Sequence, residues 1–241
     1  CGGKICDNSA GKYGGGLDLW DAALTMTGGE ISSNQAASEG GAVHVYGTST
    51  FNLSGGKITG NSSVDGGAIY LNREPSVLNM SGGVISGNTA TGNGGGGYIY
   101  RSGSICNLSG GTIENNTAGS GGGGIYVNPK NSGQLKLSGA PTVRNNTVSG
   151  AANNVYLPSG KTLSISAPME PGASVGVTVG NASYPVAFSN AYEEDYAAYF
   201  SSDDANAQVA YRSDQILYLV TADSRTVLER TMSINNAKVE K

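Results

Sequence analysis

LSGGKITGN, residues 53–61, comes back along the chain with small changes: MTGGEISSN at 26–34, MSGGVISGN at 80–88, LSGGTIENN at 108–116 and, with one insertion, LSGAPTVRNN at 137–146. The opening CGGKICDN at 1–8 is the same unit without its first residue. The closing asparagines, Asn8, Asn34, Asn61, Asn88, Asn116 and Asn146, are separated by 26, 27, 27, 28 and 30 residues. Such a period decides the fold before local propensity does, because each unit can bury its apolar face only against its neighbours.

Each unit contains three short extended pieces: a double-glycine strand such as GGAIYL at 66–71, an alternating strand such as TFNLS at 50–54, and the GKITGN stretch at 56–61. Alternation with period two, punctuated by glycine turns, is strand chemistry. The unit is too short for a propeller blade and lacks the leucine-rich signature. These observations predict an all-β chain: a right-handed parallel β-helix, a three-faced solenoid of about 27 residues per coil with a C-terminal β cap. Its hand follows the general preference of parallel crossovers. The predicted division is 1–157 as coils, 158–222 as a terminal coil and β cap, and 223–241 as a polar tail or linker. Within the cap, KTLSISA (161–167), VGVTV (175–179) and QVAYRSDQILYLV (208–220) read as strands, and Tyr196, Tyr199 and Phe200 as anchors.

Aligning the units yields inward columns. One is Ile5, Ile31, Ile58, Ile85, Ile113 and Val143; another pairs Leu24/Met26, Phe51/Leu53, Leu78/Met80, Cys106/Leu108 and Leu135/Leu137; a third pairs Leu17/Leu19, Val43/Val45, Ile69/Leu71 and Ile125/Val127. The asparagine column is expected to form a hydrogen-bonded side-chain ladder. Glycine supplies turn dihedrals that residues with a Cβ adopt poorly.

Composition bounds the rest. The 241 residues include 39 glycines, only 13% are charged, and the net charge is −4. That acidic balance argues against a nucleic-acid partner, which needs clustered Lys and Arg. No stretch is long and apolar enough to span a membrane as a helix. Of three cysteines, Cys106 reads as a small core residue, and whether Cys1 and Cys6 pair across a bend is left open by spacing alone. The chain opens in mid-repeat with no signal peptide, which reads as a monomeric segment of a larger protein.

GGAIYL followed by ITGN or ISGN in each coil resembles the GGA[ILV] and [FI]xxN repeats of the chlamydial polymorphic outer membrane proteins. The SGGxIxxN…GGGIYV layout is also similar to large repeat-bearing surface proteins of gut Firmicutes, and NVYLPSGKTLSIS…YFSSDD resembles the end of such domains. The resemblance covers residues 1–222 and implies a β-helical passenger or adhesin region displayed outside the cell. Two departures stand out: the aromatic FxxN form is replaced by IxxN, and nothing resembles an outer-membrane translocator. The expected place is therefore the cell surface, in a Gram-positive wall.

The candidate binding residues follow from strand alternation. If Ile69 and Leu71 face inward, Tyr70 faces outward. The same reasoning puts Tyr100, Tyr126 and Tyr156 outward in one column, with His44 and Asp18 in the earlier coils and Tyr46 and Trp20 two residues further along their strands. Such a ladder either stacks on itself and covers the sheet or offers an exposed platform for a glycan or glycoprotein. Asp18 and His44 read as a surface ion pair, since no Ser or Cys nucleophile is evident beside them. The acids of the coils, Asp7, Asp18, Asp21, Glu30, Glu39, Asp65, Glu74 and Glu114, read as scattered, with no in-register pair for glycoside chemistry. The expectation is no catalytic residue, metal or cofactor. A single histidine excludes histidine-cluster metal sites, and the acids at 193–195 and 203–204 lack calcium-loop spacing. A second outward row, Thr25/Thr27, Asn52/Ser54, Asn79/Ser81 and Asn107/Ser109, resembles an ice-binding face, weakened by asparagine in place of threonine. The functional expectation is a non-catalytic surface adhesin module. The alternatives are a structural stalk and, third, a polysaccharide-degrading β-helix enzyme.

Overall fold

A computed structural model describes residues 2–73, 75–130 and 133–223. Its main sheet has 18 strands, paired in parallel between successive coils. The chain is a parallel β-helix. Its first face is built from Leu17–Trp20, Val43–Tyr46, Ile69–Asn72, Gly97–Ile99, Ile125–Val127 and Val155–Leu157. The second contains Val77–Met80, Ile105–Leu108, Gln134–Gly139 and Ser164–Met169; the third, Lys4–Cys6, Val84–Ser86, Thr112–Glu114 and Thr142–Arg144. In two coils the second and third faces run together as ten-residue strands, Ala23–Ser32 and Thr50–Thr59. A fourth, narrow ladder links two-residue strands from Ser9–Ala10 to Ala151–Ala152 in a seven-stranded sheet. Two residues are too few to show alternation; the mark this ladder leaves on the sequence is a small residue two positions after each asparagine from Asn8 to Asn116.

The predicted columns are the core. Ile5, Ile31, Ile58, Ile85, Ile113 and Val143 are paired coil to coil, and the column runs on through Val175 to Phe200. Cys106 sits between Leu78 and Leu135 as expected, and full burial pushes its thiol up to about 12. The double glycines have two separate reasons. Gly40 and Gly66 adopt φ of +67° and +64°, where a Cβ is strained. The next residues, Gly41 and Gly67, lie so close to the following coil that a Cβ would stand 2.1 and 2.5 Å from its backbone oxygens.

The asparagine ladder forms as expected and is buried. Asn34, Asn61, Asn88 and Asn116 each donate both the backbone N–H and Nδ2 to Oδ1 of the next asparagine, at 2.9–3.0 Å. After Asn146 the next rung is Asn154, only eight residues on, because Thr147–Val148 and Ala151–Ala152 form an antiparallel hairpin. Asp203 ends the series: its carboxylate accepts from Asn154 N at 2.7 Å and Asn154 Nδ2 at 2.6 Å.

Beyond the coils, Phe200–Ser202 pairs with Val175–Val177, and Val186–Ala187, Leu217–Thr221 and Ala207–Tyr211 form a three-stranded antiparallel sheet. Tyr196 and Phe200 are buried there. The acids of this region enter separate local bonds. Asp195 accepts from Ala197 N, Asp204 from the Tyr184 hydroxyl, and Glu194 from the Tyr196 hydroxyl. Residues 224–241 and Cys1, with the question of its pairing to Cys6, lie outside the described residues.

Candidate functional site

The outward column of the first face reads Asp18, His44, Tyr70, Tyr98, Tyr126, Tyr156 and Thr178. The fourth coil therefore contributes Tyr98, and the placing of Tyr100 in this column is corrected. Gly97 takes the position of Ile69, so the strand GYIY is shifted by one residue relative to IYL. With no side chain at Gly97, a cavity of about 10 Å³ remains among Ile69, Leu71, Ile99 and Ile125.

The rings make one continuous stack. Tyr13 lies on His44 at 4.8 Å, His44 is 5.9 Å from Tyr70, and the steps Tyr70–Tyr98, Tyr98–Tyr126 and Tyr126–Tyr156 are 5.0, 4.9 and 5.1 Å. Centroid distances of this size, edge-on or stacked, are the favoured ring geometries. The column is not the open platform expected from alternation. His44, Tyr70 and Tyr98 are only 1%, 2% and 6% exposed. Two neighbouring rows fold over them. On one side the turn residues Tyr13, Glu39 and Asp65 stack in register, and Asn93 N donates to Asp65 Oδ1 at 2.7 Å. On the other, Tyr46 and Tyr100 lean against His44, Tyr70 and Tyr98. Burial accordingly pushes the Tyr70 and Tyr98 phenols well above their ordinary range. Tyr98 Oη accepts from Asn128 Nδ2 at 2.8 Å.

His44 and Asp18 do meet, with Nδ1 to Oδ1 at 2.8 Å, but the histidine is buried, so a surface pair is corrected to a half-buried one. A carboxylate acceptor fixes the Nδ1 proton. Nε2 then points at Glu39 Oε2, 3.6 Å away, and has no hydrogen-bond partner. The acids are also less scattered than they read. Glu39 and Asp65 bridge in register between neighbouring coils, and Asp65 adds to the burial that raises the Glu39 carboxyl above its usual value. A carboxyl raised on folding contributes stability below its unfolded pKa, and that contribution is lost as pH rises through the folded value. Glu39 Oε2 is also the acceptor of Asn72 Nδ2, at 3.3 Å. Glu39→Gln removes the carboxyl titration, so as pH rises from about 4 to about 8 the variant should lose less stability than the wild type. Thermal melts of the two proteins across that range read this directly; an equal or larger loss in the variant would contradict it.

The aromatic row that reaches solvent, at Trp20, lies two residues further along the strands. Trp20 pairs with Tyr46 and Tyr46 with Asn72, while Tyr100 N donates to Leu71 O and so stands beside Asn72. Trp20, the single tryptophan, is 60% exposed, and its ring lies 4.2 Å from that of Tyr46. Arg73 Nη1 donates to Tyr46 Oη at 2.6 Å. The expected site residues thus divide. Trp20 is exposed and forms a strip with Tyr46 and Tyr100, which are half-buried like Tyr126 and Tyr156 of the column, and Tyr70 and His44 lie buried beneath. Tyr13, Glu39, Tyr98 and Arg73 were absent from the sequence-based site. For Tyr98 a signal existed: it follows Asn88 by the same ten residues that separate Asn34 from His44 and Asn116 from Tyr126.

Among the described residues no three His, Cys, Asp or Glu side chains gather as a metal site. The second outward row is real as a chain of amides. Asn107 donates to Asn79 at 2.7 Å and Asn79 to Asn52 at 2.9 Å.

No curated protein and no solved structure matches the chain. Residues 110–128, GGTIENNTAGSGGGGIYVN, match the family model of the Chlamydia polymorphic membrane protein repeat. That segment holds one ladder asparagine, Asn116, one glycine turn and one column tyrosine, Tyr126, and the same three features recur through the neighbouring coils. The chain is thus a parallel β-helix repeat region similar to the repeat of the Chlamydia polymorphic membrane proteins.

Proposed function

We propose that this chain is a non-catalytic binding module displayed at the cell surface, and that it takes a glycan on the strip formed by Trp20, Tyr46 and Tyr100. The observation that carries the reading is the exposed Trp20 ring held at 4.2 Å on Tyr46. A large aromatic kept in water at an ordered position is the surface that sugar faces and protein loops use. Surface display is supported by the repeat match, which belongs to a membrane protein family of Chlamydia. That match favours no Gram-positive wall, so the proposal is made for the surface without a type of envelope.

The test is a glycan array with mucosal glycoproteins, run on the chain and on its Trp20→Ala/Tyr46→Ala variant. Binding should fall at least about tenfold in the variant, as expected for loss of a central aromatic anchor. Tyr70→Ala serves as the control. Its ring is buried in the stack, so it should lower the melting temperature while the folded fraction still binds. Binding that survives in the strip variant would refute the site.

The second reading is a stalk. It is favoured by the burial of His44, Tyr70 and Tyr98, whose rings tie coil to coil without offering a surface. Failure of the wild-type chain to bind any glycan or glycoprotein would leave the stalk.

A further inference from the structure

Directly after the aromatic row, two neighbouring coils place arginines: Arg73 follows Asn72, and Arg101 follows Tyr100. Both are exposed. The Arg73 guanidinium carbon lies 5.4 Å from the centre of the Tyr46 ring, and that of Arg101 lies 4.6 Å from the Tyr100 ring. Among the described residues neither has a carboxylate within ion-pair distance, although the whole chain is acidic, with a net charge of −4. Asp21 is near enough for Arg73 to help hold its carboxyl low, but one oxygen is already taken by Thr48 N at 2.8 Å and Thr48 Oγ1 at 3.0 Å.

From this juxtaposition we infer that the strip selects anionic glycans. The sugar faces lie on Trp20, Tyr46 and Tyr100, and the carboxylate or sulfate groups are taken by Arg73 and Arg101. A guanidinium is planar, is permanently charged and carries a fork of donors that matches an oxyanion. Arg101 is held over the Tyr100 ring and Arg73 by its Nη1 bond to Tyr46 Oη, and both remain exposed. Tyr46 and Tyr100 flank Asn72, so the two guanidinium groups lie at rings two coils apart, about 10 Å at about 4.8 Å per coil. Two such groups at that spacing, beside the aromatic strip, form a site for a sugar that carries charge. A neutral sugar would use the rings and leave the arginines in water.

This inference rests on the glycan reading of the strip, so its test separates the two. Oligogalacturonate, chondroitin sulfate oligosaccharides and neutral xylo-oligosaccharides are titrated against four proteins. These are the wild type, Arg73→Gln/Arg101→Gln, Arg73→Lys/Arg101→Lys and Trp20→Ala, each checked for native β circular dichroism. Either or both of the acidic oligosaccharides should bind at least about tenfold more tightly than the neutral ones, and added salt should weaken the acidic complexes alone. The glutamine pair should bring acidic ligands down to the neutral level. The lysine pair should restore only part, because charge returns without the fork. Trp20→Ala should weaken all classes. Equal binding of neutral and acidic sugars, or acidic binding unchanged in the glutamine pair, would overturn the anionic preference and leave the glycan site standing. Absence of all binding by the wild type would overturn both. A preference for chondroitin sulfate over oligogalacturonate would assign the arginines to sulfate, and the reverse to carboxylate.

Discussion

Asn88→Ala should lower the melting temperature by about 10 °C, a loss of about 4 kcal/mol at 2–4 °C per kcal/mol for a chain of this size. Asn88 is the middle of the buried ladder. Its Oδ1 accepts from Asn61 N and Asn61 Nδ2, both at 2.9 Å. Its Nδ2 serves Ile58 O at 3.0 Å, Ser86 O at 3.1 Å and Asn116 Oδ1 at 2.9 Å. Alanine removes all five contacts and admits no replacement. Each buried group left without a partner costs about 1–3 kcal/mol, which is more than the contacts themselves contribute net. The outer amide row is the internal comparison. Asn79→Ala also breaks two side-chain bonds between coils, to Asn52 and from Asn107. Those amides are only partly buried, and water can take over. That substitution should cost no more than about 1 kcal/mol, a shift of about 2–4 °C. Equal shifts at the two positions would show that burial does not set the difference.

The contrast between the two rows explains what the sequence could and could not disclose. Periodicity reports which residues share a column, and strand alternation reports which side of the sheet they occupy. Both were legible: the isoleucine column, the asparagine ladder and the outward direction of Tyr70 all stand. Neither reports whether an outward residue meets water. That depends on how the turn carrying Tyr13, Glu39 and Asp65 folds back toward the first face, and those turns vary in length. Asn34 is ten residues from His44, whereas Asn61 is nine from Tyr70. The misplaced rung has a related cause. GGGGYIY at 94–100 can be laid on GGAIYL in two ways, because four glycines and an aromatic–aliphatic–aromatic alternation fit either register. The pairing of Gly97 with Ile69 chooses one, at the expense of a side chain in the core.

Those shifts decide which residues reach solvent. Tyr100 belongs to the strip with Trp20 and Tyr46, and Tyr98 belongs under it. The candidate surface therefore follows from register, and the arginines at 73 and 101 come into view only once Tyr100 is set beside Asn72. Glu39 and Asp65 were legible in principle, being 26 residues apart, one coil. Turn residues carry no alternation, so strand patterning alone does not align them.

Asp203→Ala should detach the cap from the last coil. Opening of the Asn154 amide in hydrogen exchange should become about a hundredfold more frequent, the equivalent of about 3 kcal/mol at 1.4 kcal/mol per factor of ten. Every bond that the Asp203 carboxylate makes is one it accepts: from Asn154 N at 2.7 Å, Asn154 Nδ2 at 2.6 Å and Thr178 Oγ1 at 2.8 Å. An asparagine in the ladder accepts from the rung before it and donates to the rung after. Asp203 has no rung after it, and a carboxylate has nothing left to donate. Space for it is made by Gly176, where a Cβ would stand 2.4 Å from Asn154 Nδ2 and 2.6 Å from Asp203 Oδ1. Asp203→Asn should therefore fall between wild type and alanine. Its amide oxygen can take both Asn154 donors, as Oδ1 does in each interior rung, while its own Nδ2 finds no further acceptor. Exchange at Ile58 and Ile85, several coils away, should be unchanged in both variants, because each coil contacts only its neighbours. If asparagine proved as disruptive as alanine, the negative charge and not the sequence of acceptors would be holding the cap. If neither variant changed exchange at Asn154, the ladder would end at Asn154 without need of a terminator.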